Sequence, residues 1–356
     1  NRWSEHDLFD WSCPRWRLPK LQGALIQILY QWNLHEFLRR HPLFTMKQRL
    51  AWYKADRPIQ HYLEREVGSR IVNFFRGKDK EYDLLRDFVY LTPIQKQLRP
   101  IKALLVASTD LTKDQQLIYT YRKSGVPVVA LVHSFDNLTS KGMLSTNTDR
   151  LLVWNDIMRK EAVEYHGMDL DKIDIVGVPQ YEQYRKLSTR TSKERFKKRL
   201  KIPDGASIIT YTASAMSMFP DEERFVQELV EAISKGKCGN SYLVLRTHPP
   251  DVRKEAYLQR YSESHLPIRI DIPDAGYTAL HTGKIGTNTS ILDFVELMQY
   301  SDVVINLSST IALDAVLFDT PVICLNFNYL DNEDWASAPN HHRCEHYRPI
   351  VESKAI

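Results

Sequence analysis

Residues 301–325, Ser-Asp-Val-Val-Ile-Asn-Leu-Ser-Ser-Thr-Ile-Ala-Leu-Asp-Ala-Val-Leu-Phe-Asp-Thr-Pro-Val-Ile-Cys-Leu, constrain the fold of this 356-residue chain more than any other stretch. Val303 to Asn306 reads as a buried strand, Ile311 to Phe318 as a helix and Val322 to Leu325 as a second buried strand. Between the first strand and the helix lie Ser308, Ser309 and Thr310. A hydroxyl-rich turn at a helix start offers free backbone N–H groups and the positive end of the helix dipole, a place to hold phosphate. Upstream, a strand-like run from Tyr242 to Leu245 ends in Arg246-Thr247-His248-Pro249-Pro250. A proline after the histidine stops the strand and keeps the imidazole at the sheet edge, and Arg246, two residues earlier, shares its face. One strand end brings a cation and an imidazole, the other an anion-binding cap. Together they indicate a nucleotide site at the carboxyl edge of a parallel sheet.

From about residue 101 the pattern alternates. Strands are expected at Lys102 to Ala107, Val126 to Val132, Arg150 to Trp154 and Ile173 to Val176, with helices at Lys113 to Ser124 and Asp156 to His166. Gly177-Val178-Pro179 interrupts, and a charged helix over Ser192 to Leu200 precedes a second alternation. Its strands are Ser207 to Tyr211, Ser241 to Leu245 and Ile268 to Ile270, and its helices Asp221 to Ser234, Arg253 to Ser262 and Ser290 to Gln299. Short strands alternating with helices of about a dozen residues indicate βαβ units, here in two consecutive α/β halves. Residues 1–100 read differently: they are aromatic and helix-patterned, with Leu21 to Leu38 at helical spacing and five of the seven tryptophans.

A net charge of +4 spread along the chain is no nucleic-acid footprint, and the basic run Lys193 to Lys201 reads as a solvated helix face. The four cysteines lack CxxC spacing and read as free thiols of a reducing compartment. The sequons at Asn137, Asn288 and Asn306 read as accidental. No signal-peptide pattern or apolar run of membrane-spanning length stands out, so the expected location is cytoplasmic. The Trp/Arg-rich residues 1–52 are a candidate peripheral contact with the inner membrane face or a lipid-linked acceptor.

The loop His133-Ser-Phe-Asp-Asn-Leu-Thr-Ser-Lys-Gly142 is overloaded with polar groups for a simple connection. Facing the other half, His133 or Asp136 would deprotonate an acceptor hydroxyl while Lys141 offsets developing charge. Thr212 and Ser214 lie at the same edge of the second sheet and are candidates for touching phosphate. Asp314, one turn into the helix after the hydroxyl cap, is a candidate for a ribose or sugar hydroxyl pair, and Asp110 for the cleft wall. Asp169-Leu-Asp171 has the spacing of a metal-binding carboxylate pair but sits where Asp is ordinary turn chemistry, so no metal site is expected. The absence of a P-loop and of GxGxxG argues against nucleoside-triphosphatase or hydride-transfer chemistry.

Residues 133–142, Val153-Trp-Asn155, Val176-Gly-Val-Pro179, the Arg246/His248-Pro249 pair and the Ser301 to Val322 segment together resemble the GT-B glycosyltransferase superfamily. The nearest resemblance is to CDP-glycerol glycerophosphotransferase-like and bacterial capsule or surface-polysaccharide transferases. It implies two Rossmann-like domains facing across a cleft: residues 1–180 on the acceptor side, with 1–100 largely helical, and 181–356 binding the donor. It implies metal-independent glycosyl transfer from a CMP-, UDP- or CDP-linked sugar to a hydroxyl of a surface glycan, such as capsule or lipopolysaccharide, or of a lipid-linked acceptor. His248, Pro249, Ser308 and Ser309, with Thr310 beside them, match motifs that hold the donor nucleotide in related CMP-sugar enzymes, and the base is implied in the first half, Asp136 ahead of His133. The alternatives are a CDP-polyol phosphotransferase, a sugar-nucleotide 2-epimerase and a catalytically silent glycan-binding scaffold.

Overall fold

The computed structural model describes residues 37–38, 40–48, 70, 100–107, 112–141, 144, 148–214, 218–219, 221–248, 253–262, 265–273, 288–329 and 337–353. Most of the helix read over Leu21 to Leu38, together with Cys13, Asp110 and Pro249, falls outside them.

The first half is a four-stranded, all-parallel sheet in the order β1-β2-β3-β4. In chain order its elements are β1 (Leu104–Val106), α1 (Thr112–Lys123), β2 (Val128–Leu131), the short α2 (Asn137–Ser140), β3 (Arg150–Val153), α3 (Asp156–His166) and β4 (Ile173–Ile175). Caps set the limits of α3. Asn155 Oδ1 accepts from the Met158 backbone N–H at 3.0 Å, and Gly167 closes the helix in the left-handed conformation, φ 64°. Val128, Ala130, Leu151, Val153, Met158 and Ala162 form one buried cluster, which makes this half a core of its own.

The second half carries α4 (Pro179–Ser188), α5 (Lys193–Leu200), β5 (Ser207–Thr212), α6 (Glu222–Ser234), β6 (Ser241–Arg246), α7 (Lys254–Tyr261), β7 (Ile268–Asp271), α8 (Asn288–Tyr300), β8 (Val303–Asn306), α9 (Ile311–Val316) and β9 (Val322–Cys324), followed by α10 (Ala338–His342) and α11 (Arg348–Glu352). Its sheet is also all parallel, in the order β7-β6-β5-β8-β9. Successive strand residues point to opposite faces, and both faces are buried, as parallel sheets require. Ile208, Val244, Val304 and Val322 join one cluster under α4, α5, α8 and α9. Ile209, Tyr211, Leu243, Leu245 and Ile305 join the other under α6 and α7. The chain starts in the middle of the sheet at β5, winds outward to β7, then crosses to the other side through β8. The gap between β5 and β8 is therefore the point where strand order reverses. Two Rossmann-like halves facing across a cleft, the GT-B architecture implied above, is the fold observed.

The basic helix α5 keeps a solvated face at Glu194, Arg195 and Lys198, as expected, but its arginines also reach buried carboxylates. Arg199 pairs with Glu296 at 3.1 Å and Asp271 at 3.3 Å, and Arg195 also pairs with Glu296, a carboxylate with no exposure. These cations hold α5 against α8 and β7. Among the described residues no helix is long and apolar enough to cross a membrane.

Candidate functional site

Strand direction decides where the polar tips meet. Arg246 stands level with Thr212, and Tyr211 with Ile305, so β6, β5 and β8 end side by side. The His248 and Ser308 tips are not on adjacent strands, because β5 lies between them. At the usual strand spacing this sets them roughly 10 Å apart. Ligands of doubly wound sheets bind at such a reversal, outside the carboxyl ends of the strands. A cavity of about 380 Å³ opens there, within the ordinary range for small-molecule sites.

The second half contributes Thr212, Ala213, Ser214 and Met218 from beyond β5, His248 from beyond β6, and Leu307 to Ile311 from beyond β8. Ser134, Phe135, Asp136 and Lys141 close the cavity from the first half. Of the residues singled out by sequence, Asp136, Lys141, Thr212, Ser214, His248, Ser308, Ser309 and Thr310 line this one cavity. His133, Arg246 and Asp314 do not. The apolar lining, Phe135, Met218, Leu307 and Ile311, was not singled out. Apolar residues beside a strand end carry no mark in sequence that separates cleft wall from core.

The β8 turn is built by a side chain. Asn306, fully buried, accepts the Ser309 backbone N–H at 3.1 Å, and Ser309 Oγ accepts from Ile311 N at 3.2 Å. Ser308 Oγ is buried without a hydrogen-bond partner. A hydroxyl stranded at a cavity wall is a donor waiting for an acceptor. Sequons aside, Asn306 and Asn137 are both buried, so neither offers a glycan its side chain.

Across the cavity, Asp136 Oδ1 accepts from Ser134 Oγ at 2.5 Å and Oδ2 from Ser140 Oγ at 2.8 Å, with Lys141 Nζ 3.9 Å from Oδ2. Burial pushes this carboxyl up, but Lys141, the His346 imidazole and the two hydroxyls more than reverse it. Asp136 is therefore held well below the usual carboxylate range. His133 is exposed and its Nδ1 accepts from Asn137 Nδ2 at 3.2 Å, away from the cavity lining.

Arg246 has a different task from the one expected. Its guanidinium pairs with Asp271 and lies over the Phe294 ring at 5.2 Å, with 5% of the residue exposed. Asp314 is buried, and burial pushes its carboxyl up to about 7. Asp169 pairs with Lys172 on an exposed turn, as turn chemistry predicts. Among the described residues no three His, Cys, Asp or Glu side chains are grouped to hold a metal ion.

No family model and no curated protein matches this sequence. Among solved structures it is similar to the UDP-GlcNAc 2-epimerase from Methanocaldococcus jannaschii, at 17% identity and TM-score 0.46, covering 68% of this chain and 67% of that one. It is also similar to a glycosyltransferase from Rickettsia africae ESF-5, at 14% identity and TM-score 0.40, covering 74% and 71%. A third is the wall teichoic acid polymerase TagF, at 13% identity and TM-score 0.38, covering 67% of this chain and 64% of that one. All three scores lie below one half, and the fold rests on the strand order and register of the two sheets.

Proposed function

We propose that this protein is a glycosyltransferase that moves a sugar from a nucleotide donor to an acceptor hydroxyl. One observation carries the reading: a single cavity at the strand reversal is lined by Lys141, His248 and the stranded Ser308 hydroxyl, and by Asp136 from the facing half. A donor's phosphates meet the ammonium, the imidazole and the hydroxyls of Ser308, Ser309 and Thr310. These groups offset the charge that develops on the leaving nucleotide without requiring a cation. The end of β6 sets the imidazole at this edge.

The acceptor enters from the first half. Of the two candidate bases, Asp136 lines the cavity and His133 does not. A carboxylate with so low a proton affinity does not strip a free hydroxyl. It orients the hydroxyl and takes its proton late, as the new bond to the sugar makes that proton acidic. The donor base (cytosine or uracil), the surface-glycan or lipid-linked acceptor, a cytoplasmic location at the inner membrane face and residues 1–52 as the contact with it belong to the same proposal.

A thermal-shift screen with CMP, CDP and UDP is the direct test. A nucleotide present at 100 times its dissociation constant adds about 2.7 kcal/mol of stability, and His248→Ala and Ser308→Ala should remove most of that shift. Ser308→Ala should leave the unliganded melting temperature unchanged, because the lost hydroxyl had no partner to lose. Turnover should survive EDTA. Indifference of the wild-type protein to all three nucleotides would return the chain to a silent scaffold. Product masses separate sugar transfer from polyol-phosphate transfer and from epimerisation without an acceptor.

A further inference from the structure

The donors at the tip of β5 are all turned inward. Thr212 Oγ1 donates to the Ile305 carbonyl at 3.5 Å, and the Ala213 backbone N–H to the Arg246 carbonyl at 2.9 Å. The Ser214 backbone N–H donates to Glu222 Oε1 at 2.8 Å, and the Ser214 hydroxyl donates to the same oxygen at 3.1 Å. Glu222 is fully buried and also accepts from Tyr211 Oη at 2.6 Å. Arg253 secures the arrangement: it pairs with Glu222 at 2.6 Å and donates to the carbonyls of Ser214 at 2.9 Å and Phe219 at 3.2 Å. With their protons used this way, the Thr212 and Ser214 hydroxyls have only lone pairs to offer the cavity that these residues line. A phosphate oxygen, which only accepts, finds no donor at the described residues Thr212 to Ser214 of this wall.

We propose that Glu222 is a positioning residue that fixes Ser214 and the β5 tip as an acceptor-only wall, specific for the hydroxyl groups of a ribose or sugar and closed to phosphate. The inference rests on the nucleotide-sugar reading above and gives Thr212 and Ser214 the ligand's hydroxyl groups in place of its phosphate. The cavity is thus polarised. Hydroxylated parts of the ligand lie along β5, and its phosphates lie against Lys141, His248 and Ser308.

Affinities of UDP, CDP and inorganic pyrophosphate for the wild-type protein, Ser214→Ala and Glu222→Gln test it. Ser214→Ala should weaken whichever nucleotide the wild type binds by roughly tenfold, the worth of one hydrogen bond, with pyrophosphate affinity held within about twofold. Glu222→Gln should shift the same ratio in the same direction. General loosening of the loop would weaken both probes together and leave the ratio unmoved. Equal losses for nucleotide and pyrophosphate, or no loss for either in Ser214→Ala, would overturn the proposal while leaving nucleotide binding intact. A wild type that binds none of the three probes removes the functional reading as well. Should Glu222→Gln fail to fold, Ser214→Ala alone decides, since it keeps the Glu222–Arg253 pair.

Discussion

Arg246 and His248 sit two residues apart at one strand end and have different fates. His248 faces the cavity, whereas the Arg246 guanidinium is shut into a buried network with Asp271, which Arg199 also reaches. Nothing in Arg-Thr-His distinguishes a cation that meets phosphate from one that meets a carboxylate 25 residues on. The difference is where Asp271 stands, opposite Arg246 on β7. Removing one member of a buried pair leaves the other uncompensated. Arg246→Met should therefore cost about 3–5 kcal/mol of stability in chemical denaturation, with the nucleotide affinity of the folded fraction nearly unchanged. A large loss of affinity with wild-type stability would restore the phosphate role.

The six-residue α9 shows how an element's register separates site from support. Its entry, Ser308 to Thr310, opens on the cavity, while Ala312 and Ala315 pack into the core. Asp314 lies among them, buried. Its carboxyl is raised to about 7 from an ordinary 3.8, so the unfolded chain loses this proton first as pH rises. The sign follows: the contribution of Asp314 is intact below about pH 4, declines as pH rises to 7, and is lost above that. Asp314→Asn should match the wild type in melting temperature near pH 4 and gain a widening advantage toward pH 8, on the order of a few kcal/mol at the plateau. A constant difference across that range would place the carboxylate in water or against a cation.

At the scale of the whole molecule, the two halves share more than the cleft. The segment around α10 and α11 reaches back to the first half and to residues near Thr45. Glu345 accepts from Phe44 N at 2.6 Å, Thr45 N at 3.0 Å and Thr45 Oγ1 at 2.5 Å. Thr139 Oγ1 and His346 Nδ1 lie 3.1 Å apart, Phe135 meets the His346 ring edge-on at 4.9 Å, and Tyr347 Oη reaches Cys324 Sγ at 2.8 Å. His346 is thus part of this junction, and His341 is buried. Burial pushes the Glu345 carboxyl up, but the Thr45 and Phe44 donors win and hold it low. Its stabilising contribution is present above the ordinary Glu range and lost as pH falls through the lowered value. Glu345→Gln should cost about 1–3 kcal/mol at pH 7, less at pH 4, read by melting temperature. An unchanged melting temperature at both pH values would mean that this contact holds nothing.

The local pattern alone marked most elements from β1 to β9, because buried parallel strands and amphipathic helices leave periods that survive without tertiary context. Asp156–His166 and Val303–Asn306 were legible to the residue, one bounded by an Asn cap and a glycine, the other by a hydroxyl turn. Elements whose periods are too short to register, α2, α10 and α11, were not. The tips of β6 and β8 were also legible as polar strand ends, since proline and clustered hydroxyls interrupt an apolar run. Only the folded chain decided that β5 separates them, that Arg246 turns to Asp271, that the Ser214 donors are used by Glu222, and that a terminal segment ties the halves together. Each of these depends on which distant residue arrives opposite, and strand order and helix packing settle that after the local pattern has been read.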